Sequence, residues 1–333
     1  MTIARRTARG SAALAVASTL LLAGCSSNTT SSAQDDNADD GYPVTVENCG
    51  AEVSFDAPPE QLVLLKSASV PALHALGVLD RTVARAGAFP SELFDDETNA
   101  EIQDIPELTS DIDPTGHLQI SKDVVIAEEP DVVFGEVENL PRQSLSQVNI
   151  ALLEEPAFCS TDAETDPTFD SVYDQVQLYG EVFDRTDKAD DYVDELEQRV
   201  ADAEDTVADD EDRTAAVLYP TVGGGTMYAY GTDSMAHPQL EAAGFTNAFE
   251  DTSERVFEVS AEQLLGRDPD IIILLYSEGD PEAVEATLED LPGASDLSAL
   301  ENDQVITQLL NFTEPATPLA VTGLENIVER FHE

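Results

Sequence analysis

The side chains of this chain that can recognise or react with another molecule are few. Four histidines, three cysteines and 15 lysines and arginines stand against 68 acids. There is no Gly-x-Ser-x-Gly elbow, no phosphate-binding Gly-rich loop ending in lysine, and no Gly-x-Gly-x-x-Gly with an acidic partner. With this many acids, neighbouring carboxylates arise by chance and carry no argument for acid–base catalysis. His74, His117, His237 and His332 are far apart, with no His-rich tract, so a bare metal centre, which needs three or four converging ligands, is poorly supplied. What remains is recognition chemistry. Arginine guanidinium groups suit carboxylate or phenolate oxygens, and tyrosine and phenylalanine rings suit a large, partly apolar ligand. The chain therefore reads as a binding protein. No enzymatic activity, catalytic residue, cofactor or resident metal is expected.

These residues need a frame, and an internal repeat provides one. Ile120-Ser121-Lys122-Asp123 through Pro130-Asp131 to Val132-Val133-Phe134 matches Val259-Ser260-Ala261-Glu262 through Pro269-Asp270 to Ile271-Ile272-Ile273 at a constant offset. Each copy has a serine suited to cap a helix and an acid in the first turn, where the helix dipole favours it. Pro-Asp then stops the helix, and a β-branched run follows as a buried strand. Further strands are expected at 62–65, 82–86 and 149–153, and at 214–219, 271–275 and 304–307. Helical stretches alternate with them, which predicts two α/β lobes with parallel sheets.

Between the halves, Ala189, Tyr192, Val193, Leu196, Val200, Ala203 and Val207 recur at helical spacing. The expectation is two Rossmann-like lobes joined by a single long interdomain helix. The lobes span residues 43–185 and 211–333, and the helix spans 186–210. A rigid linking helix predicts limited closure of one lobe on the other.

In open α/β sheets, ligands bind outside the carboxyl ends of the strands. Residues placed just after the expected strands are Lys66, Ser67, Ser69, Arg85, Phe89, Glu136 and Glu138 in the first half. In the second half they are Tyr219, Met227, Tyr228, Tyr230, Arg255, Tyr276 and Phe312. Tyr228 and Arg255 are the leading candidates, expected on loops. Gly223-Gly224-Gly225 allows close backbone approach or a turn.

Residues 1–24 carry Arg5, Arg6 and Arg9, then an apolar run from Ala12 to Leu22 that ends at Leu22-Ala23-Gly24-Cys25. This is an export signal, too short to span a bilayer comfortably. Its end resembles the lipobox of bacterial lipoproteins, which implies a diacylglycerol on the Cys25 thiol. Residues 25–42, rich in Ser, Thr, Asn and Asp, read as a disordered tether. Removing the three signal arginines takes the net charge from −53 to −56, so nucleic acid and anionic lipid surfaces are poor partners. The acids read as a solvated surface, with adaptation to a cationic ligand as the sharper alternative. Cys49 and Cys159 are left as one pair, expected as a disulfide in an oxidising compartment, with two buried thiols as the alternative.

The chain resembles the iron-siderophore and cobalamin class of periplasmic binding proteins. The likeness rests on Pro58-Pro59-Glu60-Gln61-Leu62-Val63, Leu73-His74-Ala75-Leu76-Gly77-Val78, Gly87-Ala88-Phe89-Pro90, Ala242-Ala243-Gly244-Phe245-Thr246-Asn247-Ala248-Phe249 and the two Pro-Asp units. It implies a ligand held between two lobes and delivery to an ABC permease and its ATPase. Docking would use one acid per lobe, Asp123 (where the family usually has Glu) and Glu262. The expected function is capture of a ferric siderophore on the outer face of the cell membrane. Haem or cobalamin is the alternative within the family, with Tyr228, His117 or His237 as axial ligands for haem. A free metal-ion receptor and a tethered adhesion module are the rivals outside it.

Overall fold

The computed structural model describes residues 41–110, 118–160, 163–207 and 213–332. The expected signal, Cys25, most of the tether, His117 and the last residues assigned to the linking helix lie outside these. Tyr42, assigned to the tether, is docked: its hydroxyl donates to the Val182 carbonyl at 2.6 Å.

Strands β1 (Val44–Asn48) and β2 (Ala51–Phe55) form an antiparallel hairpin. Its two-residue turn, Cys49-Gly50, has φ of 55° and 69°, the doubly positive pattern whose twist suits so short a connection. The first sheet contains β3 (Leu62–Leu64), β4 (Thr82–Ala86), β5 (Glu107–Thr109), β6 (Val132–Phe134) and β7 (Ala151–Leu153), all parallel in the order β5-β4-β3-β6-β7. Its helices are α1 (Val70–Ala75), α2 (Asp96–Asp104), α3 (Lys122–Ile126), α4 (Arg142–Ser146) and α5 (Phe169–Phe183). Helix α6 (Thr186–Thr206) follows.

The second sheet contains β8 (Thr214–Pro220), β9 (Met227–Tyr230), β10 (Thr246–Asn247), β11 (Val256–Val259), β12 (Ile271–Tyr276) and β13 (Val305–Leu309). Its main path is β11-β9-β8-β12-β13, with β10 on β8. Helices α7 (Ala236–Ala242), α8 (Ala261–Arg267), α9 (Pro281–Glu289), α10 (Ser298–Glu301) and α11 (Pro318–His332) complete the chain. The expectation of a parallel sheet is corrected here: β9 runs antiparallel to both β8 and β11. The glycines at 223–225 lie in the turn that reverses the chain, with Gly223 at φ 71°. Tyr228 therefore lies on a strand, not a loop.

The repeat has a structural role. Helix α3 and strand β6 in the first lobe correspond to α8 and β12 in the second, and β6 and β12 each lie beside the strand that opens their sheet. The two Pro-Asp aspartates clamp that neighbour. Asp131 Oδ2 accepts from the backbone N–H groups of Glu60 and Gln61 at 2.8 and 3.0 Å, and Asp270 Oδ2 accepts from the N–H and hydroxyl of Thr214 at 2.8 and 3.0 Å. The capping differs between copies. Ser260 and Gln263 exchange hydrogen bonds in a capping box, whereas Ser121 makes no side-chain cap.

Helix α6 buries Ala189, Val193, Leu196, Val200 and Ala203 and packs against α5 of the first lobe and α11 of the second. At 1.5 Å per residue it is roughly 30 Å long. Arg199 on α6 ties it to α11 through Glu325 at 2.6 and 2.8 Å and Thr322 at 2.9 Å. One continuous apolar core includes Leu62 and Leu64 of the first sheet, Val217, Ile271 and Ile273 of the second, and residues of α5, α6 and α11. Each fully buried leucine in it contributes about 1.5–3 kcal/mol.

Candidate ligand-binding site at the lobe interface

The carboxyl ends of the two sheets meet. After β3 the chain runs Lys66-Ser67, after β7 Glu154-Glu155, and after β13 Asn311-Phe312-Thr313-Glu314. Each lobe sets one cation over a buried carboxylate. Lys66 Nζ is 2.6 Å from Glu154 Oε2, and Arg255 NH1 is 2.9 Å from Glu314 Oε2. The Glu154 and Glu314 side chains are 0% and 1% exposed. Backbone donors complete both. Glu154 accepts from the N–H groups of Glu136 and Glu155, and Glu314 accepts from that of Met235. Burial raises the pKa of each, opposed by the neighbouring cation.

Phe158 lies between these pairs. Lys66 Nζ is 4.7 Å and the Arg255 guanidinium 5.4 Å from its ring centre, within the range of cation–π attraction. The Arg255 contact joins the two lobes. So do the 3.4 Å hydrogen bond from Asn311 to the buried Ser67 hydroxyl and the apolar contact of Leu93 with Leu309 and Leu319.

The hairpin holds the Phe158 turn in place. Asn48 donates to the Glu154 carbonyl at 2.8 Å and accepts from its N–H at 3.0 Å and from Arg142 at 2.7 Å. The adjacent Cys49 forms a disulfide with Cys159. Beneath the turn, Glu155 accepts from the Tyr179 hydroxyl at 2.8 Å, and Tyr179 accepts from Gln175 at 2.8 Å. Complete burial pushes the Glu155 carboxyl up to about 8, so it carries a proton at neutral pH.

The other expected residues are distributed unevenly. Tyr230 is buried, and burial together with Glu314 raises its pKa. Tyr228 pairs across β9 with Tyr219 on β8, whose hydroxyl donates to Ser277 at 3.2 Å. Met227 is buried in the core of the second lobe and Ser69 at the start of α1. Tyr276 and Phe312 pack on the apolar inter-lobe contact. Glu136 accepts from Ser160 at 3.3 Å, and Glu138 is exposed. Arg85 is not beyond β4 but inside it. It pairs with Glu107 on β5 at 2.8 Å and lies over Phe89 at 5.3 Å. His74 meets Glu101 at 3.3 Å, His237 meets Glu241 at 3.7 Å, and His332 stacks on Phe245. Among the described residues no group of three or more His, Cys, Asp or Glu is arranged to hold a metal.

Sequence reasoning missed Glu154, Phe158 and Glu314. Glu154 directly follows an expected strand and was within reach of the same rule. Phe158 and Glu314 lie several residues past their strands, where only the fold brings them back. Three concavities lie nearby, and the one beside β13 is lined by the expected residues Tyr276 and Phe312. One of about 500 Å³ lies among α1, α6 and α11, one of about 520 Å³ lies beside β13, and one of about 1,050 Å³ lies under the hairpin. None of these three contains Lys66, Phe158 or Arg255. The candidate site is the contact of the lobes where Lys66, Phe158 and Arg255 converge.

Asp123 and Glu262 are exposed in the first turns of α3 and α8. A crossover helix runs back against the strand it feeds, so both turns lie toward the carboxyl ends of their sheets.

A family model described as periplasmic binding protein matches residues 62–308. The chain belongs to the periplasmic binding protein family. A crystal structure titled as an ABC-type Fe3+-hydroxamate transport system from Saccharomonospora viridis is 52% identical to this binding protein. The match covers 88% of this chain and 100% of that one, with a TM-score of 0.82. The periplasmic haem-binding protein HutB of Vibrio cholerae is 15% identical over 82% of this chain and 99% of its own, with a TM-score of 0.64. The vitamin B12-binding protein BtuF of Vibrio cholerae is 17% identical over 82% and 96%, with a TM-score of 0.58. These two share the fold. No curated protein matches the chain. Among the described residues no helix is long and apolar enough to cross a membrane.

Proposed function

We propose that this binding protein captures a ferric siderophore of the hydroxamate class and delivers it to an ABC permease. It would do so from the outer face of the membrane, anchored by lipid on Cys25. The observation that carries the ligand class is the 52% identity to the Saccharomonospora viridis chain described as an ABC-type Fe3+-hydroxamate transport system. The geometry supports it. Lys66 and Arg255 offer N–H donors to the chelate's oxygens beside the rings of Phe158, Tyr219, Tyr228 and Tyr230, at the carboxyl ends of both sheets. Ser67, Glu136, Tyr276 and Phe312 line the same junction, and Arg85 with Phe89 forms its flank. Asp123 and Glu262 would dock on the permease, one from each lobe. The iron is cargo, and its ligands come from the siderophore.

The test is a titration of residues 43–333 with ferric hydroxamate, catecholate and citrate chelates, haem and cobalamin, read by tyrosine fluorescence. Saturation by a ferric hydroxamate at sub-micromolar concentration, weakened by Arg255→Ala or Tyr228→Ala, is the expected result. Saturation by haem or cobalamin alone would replace the ligand within the family. Tight binding of free zinc or manganese, with no response to any chelate, would turn the reading to a metal-ion receptor.

A further inference from the structure

The two cations at the lobe junction are already neutralised. Arg255 spends NH1 on Glu314, and Lys66 spends its ammonium on Glu154. Both partners are enclosed, so drawing either cation toward an anionic ligand would leave a buried carboxylate without its counter-charge. The guanidinium nonetheless keeps donors in reserve: among the described residues, Nε and NH2 of Arg255 make no hydrogen bond. The site thus offers N–H donors without net positive charge.

The surroundings lean the other way. Arg142, the third cation here, is half-buried and spent on Asn48 and the Leu152 carbonyl. Against Lys66, Arg142 and Arg255 stand the carboxylates of Glu136, Glu154, Glu164 and Glu314. Among the described residues, Glu164 Oε2 is enclosed without a hydrogen-bond donor, and its carboxylate is near enough to Glu314 to raise the latter's pKa. Glu155 is protonated at neutral pH and adds no charge. Three cations against four carboxylates leave an excess of negative charge at the lobe junction, whose low-dielectric surroundings strengthen its field.

We propose that the site at the lobe junction selects ferric chelates by net charge, taking uncharged or cationic trihydroxamates and rejecting anionic tris-catecholate and citrate complexes, because Lys66 and Arg255 are each neutralised by an enclosed carboxylate. In a trihydroxamate, three monoanionic groups cancel the charge of Fe3+, while their oxygens still accept hydrogen bonds. A tris-catecholate brings three dianionic groups and remains an anion. The inference rests on the siderophore reading and adds the sign of the ligand's charge to it.

Calorimetric titration tests it with three probes: an uncharged cyclic ferric trihydroxamate, a linear ferric trihydroxamate bearing a free ammonium, and a ferric tris-catecholate. Both trihydroxamates are expected to bind at least about 100-fold more tightly than the tris-catecholate. High salt should weaken only the ammonium-bearing one, by screening its attraction to the acids. Glu314→Gln should narrow the gap by about tenfold or more. Because Glu314 also anchors Met235, Glu164→Gln serves as a second variant expected to narrow the gap in the same direction without touching either ion pair. Binding of the tris-catecholate within about threefold of the uncharged trihydroxamate, or an unchanged ratio in both variants, would overturn charge selection while leaving the siderophore reading intact. Binding of haem or cobalamin, with no response to any ferric chelate, would overturn both.

Discussion

Arg255 and Phe158 belong to different lobes, yet the guanidinium of one lies 5.4 Å from the ring centre of the other. The ring belongs to a turn secured by the Cys49–Cys159 disulfide, and the guanidinium to a side chain secured by Glu314. Both partners of this cross-lobe contact are thus held from behind, each by its own lobe.

The Arg255–Glu314 pair should show strong coupling. Arg255→Met leaves a Glu314 oxygen buried without its donor and should lower stability by about 1–3 kcal/mol. Glu314→Gln strands an arginine that is one-third exposed and should cost less. The double variant should recover part of the first loss, because no buried carboxylate remains. Urea denaturation of the four proteins measures the coupling, and additive losses would count against it.

Glu155 should make stability depend on pH in a defined direction. Its folded pKa is about 8, against an ordinary 4.5. Between these values the folded protein holds a proton that the unfolded chain has released. The associated stability is complete below about pH 4.5, falls as pH rises, and is lost above about pH 8. Glu155→Gln keeps an oxygen for the Tyr179 hydroxyl and removes the titration. Its melting temperature, compared with wild type from about pH 5 to 9, should rise relative to wild type as pH increases. A constant difference would contradict the assignment.

Removing the disulfide should loosen both the hairpin and the Phe158 turn. It closes a sequence separation of 110 residues, and its loss should cost about 2–4 kcal/mol. Guanidinium denaturation with and without reductant, or of Cys49→Ser/Cys159→Ser, measures this. Chelate affinity should weaken in the same samples, because the turn that carries Phe158 is then held to the hairpin only by the hydrogen bonds of Asn48.

Charge reversal at Asp123 and Glu262 should separate docking from binding. Both acids are exposed and outside the Lys66–Phe158–Arg255 cluster. Asp123→Lys and Glu262→Lys should leave chelate affinity within about twofold of wild type while lowering stimulation of the permease's ATPase by about tenfold or more. Equal loss of affinity and stimulation would place these residues in the ligand site instead.

Much of this architecture follows from local pattern. The apolar runs at 62–64 and 271–276 are strands because each is buried on both faces, and such strands read as continuous apolar stretches. Ala189, Val193, Leu196, Val200 and Ala203 show as a stripe because a helix lying on a core repeats every 3.6 residues. The Pro-Asp repeat was legible as a boundary, but its second role as a clamp on the neighbouring strand was not, since the groups it holds are 56 or more residues away in sequence. The antiparallel β9 and β11 were hidden for a similar reason. Short strands with mixed faces carry little periodicity, and the glycines between them allow a turn without requiring one.

The sequence by itself determined the two-lobe α/β plan, a long amphipathic helix between the two halves of the chain and the kind of chemistry available, because these depend on periodicity, composition and residue type, while the structure decided between a disulfide and two buried thiols for Cys49 and Cys159. Only the tertiary structure decided which residues share a site. It enclosed Arg85 in a pair with Glu107, drew Phe158 between Lys66 and Arg255, and placed Glu154 and Glu314 beneath those cations. Burial and charge pairing depend on contacts between segments as far apart as residues 66 and 154 or 158 and 255. No local pattern records those contacts, since they arise only when the sheets pack and their strand ends converge.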